Sequence, residues 1–152
     1  FSPMGTTSVE GHQPTMEVPR MTITTESPAW ASAPVTSAEM IDLAPEIYRQ
    51  RLVVEGLVDR PIERHEIVEY LSQLSRVLDM ITVLEPVTHE SDLYGWAGWI
   101  HWETSGAHFY AWDRPRLFFS VDMYTCKWFS NEMAVEFTRD FFNARQVVSR
   151  AF

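Results

Sequence analysis

Between residues 51 and 150 the hydrophobic positions change period several times, and each change marks an element. Leu52, Val53, Val54, Leu57 and Val58 form a short apolar run that reads as a buried strand from Arg51 to Val58, broken by Asp59-Arg60-Pro61. Pro61 suits a first helical turn. Ile62, Ile67, Leu71, Leu74 and Leu78 then recur at helical spacing, with Glu63, Arg64, Glu66, Glu69 and Arg76 on the wet side. That predicts an amphipathic helix of about four turns. A second strand is expected from Met80 to Val87, ended by Pro86 and the polar run Thr88-His89-Glu90-Ser91-Asp92.

From Gly95 to Glu103, Trp96, Gly98, Ile100 and Trp102 alternate with Ala97, Trp99, His101 and Glu103, a strand whose two faces are both expected to be covered. Gly106 interrupts, extended chain resumes from Ala107 to Trp112, and Asp113-Arg114-Pro115 turns it. Leu117, Phe119, Val121 and Met123 mark the inner face of the next strand. Ser130 is placed to N-cap a helix from Asn131 to Phe142, with Glu132 near its positive end. Its apolar stripe is Met133, Ala134, Phe137 and Phe141, and Val147 and Val148 suggest a short closing strand.

The order of strand, helix, four strands, helix and strand predicts the α+β class, an antiparallel sheet with two helices packed on one face, in a domain of residues 46–152. Residues 1–45 differ in composition. They are rich in Pro, Ser, Thr and Met with few periodic hydrophobics, too little apolar surface to offset the entropy of ordering. They are expected as an extended tail laid along a partner protein. The chain starts at Phe1 rather than Met. A trimmed targeting presequence is the expectation, and with it an intracellular, mitochondrial or other organelle location.

Composition narrows the classes. The formal net charge is −9, with 12 basic against 21 acidic residues, which argues against a phosphate-tracking surface and hence against nucleic acid. A single cysteine excludes an internal disulfide framework, and five scattered histidines without a placed carboxylate give no expected metal site. No apolar run reaches the length of a membrane span.

Three short stretches carry chemistry: Glu103-Thr104-Ser105-Gly106, Tyr110-Ala111-Trp112-Asp113-Arg114 and Asp122-Met123-Tyr124-Thr125-Cys126. Together, and over roughly Arg51 to Arg150, they resemble the small bacterial and archaeal S-adenosylmethionine decarboxylases, which cut themselves at a serine to make a pyruvoyl group. The resemblance implies the α+β fold above, Ser105 as the cofactor precursor, Cys126 as proton donor, and Trp112, Glu103 and Tyr110 around the substrate. One extra residue between Glu103 and Trp112 leaves Thr104 or Ser105 at the cleavage position.

The departures from the family pattern are equally specific. Tyr110 stands where the family has a processing histidine, and a phenol with an ordinary pKa of about 10 is a poor base at neutral pH. Ala97 replaces a second processing serine, Gly106 a histidine, and Asp113-Arg114 a Pro-Glu pair. His108, two residues before Tyr110 and on the same strand face, is a candidate stand-in for the base. Cys126 reads equally as a small core residue. The tryptophans at 96, 99, 102 and 112 suit sheet core and a protein interface or, alternatively, an adenine pocket.

Two functional readings follow. In the first, favoured by the departures, the chain is a non-catalytic relative without cofactor. It serves as an accessory subunit of a larger, mitochondrial complex and docks to other subunits, or to a second copy, through its tail and aromatic sheet. In the second it is a pyruvoyl-dependent decarboxylase of S-adenosylmethionine or another amino acid, self-processed at Ser105.

Overall fold

The structure, a computed structural model, describes residues 42–152. Residues 1–41, and with them nearly all of the expected tail and its partner contact, lie outside the described residues. The elements are β1 (Gln50–Leu57), α1 (Arg64–Val77), β2 (Thr82–Ser91), β3 (Gly95–Trp102), β4 (Ser105–Trp112), β5 (Phe118–Thr125), α2 (Asn131–Phe141) and β6 (Gln146–Ala151). The strands form one six-stranded antiparallel sheet in the order β2-β3-β4-β5-β1-β6. The expected fold class is the observed one.

Both helices pack against the same sheet face, although Met133, expected on the apolar stripe of α2, is exposed. Ile67, Tyr70, Leu71 and Leu74 of α1 and Ala134 of α2 meet Leu52, Val54, Ile100, Trp102, Phe109, Phe119, Val121 and Met123 from the strands. α1 approaches so closely that a Cβ on Gly98 would lie 2.5 Å from Ile67 Cγ2. Tyr70 sits at the centre, with Phe109, Phe137, Phe141 and Phe142 at ring distances of 4.8–5.6 Å. Its hydroxyl shares a 2.7 Å hydrogen bond with Thr138 Oγ1. Complete burial pushes the Tyr70 phenol well above its ordinary pKa, because the phenolate would be desolvated. Ser130 caps α2, its Oγ accepting from Met133 N at 3.2 Å.

Three expectations are corrected. β2 does not end at Val87 but runs through the polar residues Thr88–Ser91, and Pro86 lies inside it at a register shift between Leu84 and Val87. As an edge strand, β2 pairs only with β3, so it tolerates a missing N–H at a bulge and needs no apolar outer side. Gly106 does not interrupt, because β4 starts at Ser105 and carries it. Finally, β3 is open over most of its second face, where only Ala97 is buried. Trp96, Gly98, Ile100 and Trp102 turn inward, whereas Trp99 stays 36% exposed and His101 is exposed. No described helix lies over that second face.

Candidate functional site

The hairpin between β3 and β4 is closed by the pair Trp102 and Ser105 around the two-residue turn Glu103-Thr104. Its backbone is strained. Ser105 has φ +137°, a region that side chains with a Cβ rarely enter and that costs on the order of 1–3 kcal/mol. Such a conformation persists only when neighbours hold it, and here they do. Glu103 N donates to Ile81 O at 2.9 Å, and Cys126 N donates to the Thr104 carbonyl at 2.9 Å. The Thr104 hydroxyl accepts from Thr125 Oγ1 at 2.9 Å and points its own proton at Met80 Sδ, 3.7 Å away.

This arrangement separates the two candidates for the cleavage position. The Thr104 hydroxyl is engaged on the inner side, whereas Ser105 lines a hollow of about 470 Å³ on the open sheet face. The carbonyl preceding Ser105 is the one that receives the Cys126 N–H.

Cross-strand register builds the walls of the hollow. Trp99, His108 and Asp122 stand side by side on β3, β4 and β5, and the next row places His101, Gly106 and Tyr124 together, with Arg51 of β1 opposite Tyr124. All of them line the hollow with Ser105. Arg51 grips Asp122 through two bonds, Nε to Oδ1 at 2.9 Å and Nη2 to Oδ2 at 2.6 Å. That hydrogen-bonded carboxylate holds the Arg51 guanidinium above its already high pKa. Gly106 leaves the floor bare. A Cβ there would stand 2.4 Å from the Ile100 carbonyl oxygen, so no larger residue fits without moving β3.

Of the residues singled out from sequence, Ser105 and His108 come together in this hollow. Tyr110 does not join them. It lies five strand residues from Ser105, roughly 16 Å along β4 at ~3.3 Å per residue. There it contacts Tyr94 and Trp112 at ring distances of 6.2 and 5.8 Å, with Ala97 as its cross-strand neighbour. Trp112 stands farther along, against Tyr94 and Phe118. Glu103 is exposed on the turn outside the hollow, and Cys126 contributes its backbone N–H while its side chain stays outside the lining.

Arg51 was not singled out; Trp99 was read as core, interface or adenine pocket, and Asp122 and Tyr124 belonged to a chemistry-bearing stretch without a role of their own. The available signal was the two-residue spacing of Trp99 with His101 and of Asp122 with Tyr124, which puts each pair on one strand face. Among the described residues no three His, Cys, Asp or Glu side chains converge as a metal site, and no helix is long and apolar enough to cross a membrane.

Comparison with known proteins bears on the fold and the family. The sequence model of the S-adenosylmethionine decarboxylase family matches residues 54–152. Among solved structures, the crystal structure of the adenosylmethionine decarboxylase from Aquifex aeolicus VF5 superposes with a TM-score of 0.58 at 14% identity, covering 70% of this chain and 89% of that one. At that identity the likeness establishes the fold. No curated protein matches the sequence. The family match takes in the second half of β1, every later strand and both helices, and the chain belongs to the S-adenosylmethionine decarboxylase family.

Proposed function

We propose that this chain is a self-processing, pyruvoyl-dependent decarboxylase of S-adenosylmethionine or another amino acid, with Ser105 as the residue converted. One observation carries the reading: the Thr104–Ser105 peptide combines a strained φ at the serine with a backbone N–H already on the carbonyl that the serine would attack.

In that chemistry Ser105 Oγ adds to the Thr104 carbonyl carbon, the peptide C–N bond breaks, and an ester replaces the amide. Cys126 N–H is aimed at the oxygen where negative charge develops, the role of an oxyanion donor. Breaking the amide also releases the backbone strain. His108 and His101, on the walls of the same hollow, would take and return the hydroxyl proton. Loss of the Ser105 Cα proton then breaks the Cβ–Oγ bond. Thr104 is left as a free carboxylate and residue 105 as dehydroalanine, which water converts to a pyruvoyl group with release of ammonia.

The hollow fits such a group, since Ser105 borders a space large enough for an amino acid, and Gly106 beside it adds no side chain. A pyruvoyl group there would supply a carbonyl that accepts the substrate amine and draws off the electron pair left by the departing carboxylate. The chain's own residues supply the rest. Trp99 and Tyr124 offer aromatic walls, and the Arg51–Asp122 pair presents fixed charge of both signs to a zwitterionic substrate.

A denaturing gel with intact-mass measurement tests this. Freshly purified protein is expected as two pieces divided before Ser105, the second piece blocked by a ketone at its N-terminus. A single uncut chain would overturn the proposal.

A second reading is favoured by one specific contact, Ala97 opposite Tyr110. These two positions carry a methyl and a phenol where the family pattern has a serine and a histidine. In this reading the chain is a non-catalytic accessory subunit, docked to other proteins of a mitochondrial complex or to a second copy through its open aromatic face. The uncut chain in the same measurement is its expected outcome.

A further inference from the structure

We propose that Thr125 is a positioning residue for cleavage of the Thr104–Ser105 bond; this rests on the self-processing reading. Thr125 closes β5, is fully buried, and is the direct cross-strand partner of Ser105. A hydroxyl at such a site needs partners, and it has two. It accepts the Lys127 N–H at 3.0 Å and donates to Thr104 Oγ1 at 2.9 Å. The neighbouring Cys126 N–H holds the Thr104 carbonyl.

The end of β5 thus grips Thr104 at two points, its side chain and its carbonyl oxygen. The Met80 sulfur, at 3.7 Å, receives the Thr104 proton and completes the chain of bonds. Thr104 is the acyl half of the bond to be broken, and Ser105 is the half left in a strained conformation. Fixing the acyl half keeps its carbonyl both on the oxyanion donor and within reach of Ser105 Oγ. Slippage of about 1 Å in such a geometry is enough to cost a large factor in rate. The Lys127 N–H in turn fixes which way the Thr125 hydroxyl points, because it occupies the acceptor side.

The test follows conversion of the full chain into two fragments for wild type, Thr125→Val and Thr125→Ser, at a temperature well below the melting point of each. Thr125→Val keeps the shape and removes the bond, so cleavage is expected to slow by about tenfold or more, while Thr125→Ser restores it. Hydroxylamine, which cuts esters, supplies a readout that lost stability would not move. If Thr125 positions the first step, no ester accumulates in Thr125→Val and hydroxylamine releases no extra fragment. If Thr125→Val fails to fold, Thr104→Ala removes the same bond from the turn and is expected to show the same slowing. Wild-type protein that cleaves, with the folded variant cleaving equally fast or accumulating ester, overturns the role of Thr125 alone. Wild-type protein that stays whole overturns the self-processing reading and this inference with it.

Discussion

Replacing Ser105 by glycine and, separately, by alanine measures the backbone strain on which the self-processing proposal depends. Neither variant has a hydroxyl, so both remain uncut and can be compared as single chains. Alanine keeps a Cβ at φ +137°, whereas glycine enters that region freely. The strain relieved is about 1–3 kcal/mol, and the extra freedom of glycine in the unfolded chain takes back about 0.5–1 kcal/mol. The net expectation is that Ser105→Gly is the more stable by about 0.5–2 kcal/mol. For a domain of about 110 residues, an unfolding entropy of roughly 2.1 cal/mol/K per residue turns this into a melting temperature about 2–9 °C higher. Scanning calorimetry on both variants reads the difference. Ala107→Gly, two residues along the same strand and fully buried, is the control. It is expected to lower stability, because it loses packing and gains no relief. If Ser105→Ala melts at or above Ser105→Gly, the serine is not strained and the argument for a poised peptide bond fails.

Gly106→Ala is expected to destabilise the hairpin by about 1–3 kcal/mol in a denaturant titration, since its Cβ would meet the backbone oxygen of Ile100 rather than a movable side chain; an unchanged midpoint would contradict the close approach of β3 and β4. Ser75→Ala removes the acceptor of the buried Trp102 Nε1–H, bonded at 2.7 Å, and is expected to cost about 1–3 kcal/mol by the same assay. The Arg60 guanidinium, aided by the backbone N–H of Glu63, holds the Glu66 carboxylate below its ordinary pKa. A folded pKa below the unfolded one means that stability is fully present above about pH 4.3 and is lost as pH falls through the folded value. Glu66→Gln should therefore be less stable than the parent by about 0.5–1 kcal/mol at pH 7, with the gap closing in acid. A gap independent of pH would show that the charge contributes nothing.

Much of the fold was legible because the patterns that encode it are local. The helical recurrence from Ile62 to Leu78, the Ser130 cap and the alternation of Leu117, Phe119, Val121 and Met123 each name an element and its inner face without reference to the rest of the chain. β2 was harder to read, since an edge strand has one free side and carries polar residues and a proline without penalty. The exposed faces of Trp99 and His101 were misjudged for a related reason. Aromatic residues on both sides of a strand look like two buried faces, and only the placement of both helices on one side leaves the other open.

The candidate site was half legible. Motif resemblance pointed to Ser105, and strand alternation to His108, but it also gathered Tyr110, Trp112 and Cys126 into the same place. The structure distributes them along β4 and past the end of β5.

By itself, then, the sequence determined the class and the order of elements, because periodicity, capping and turn chemistry act over a few residues. Tertiary structure alone decided the pairing of β1 between β5 and β6, which brings Arg51 to Asp122 across 71 residues of chain, and the docking of Cys126 N–H onto the Thr104 carbonyl. Those contacts depend on register across several strands at once, which no local pattern in the chain records.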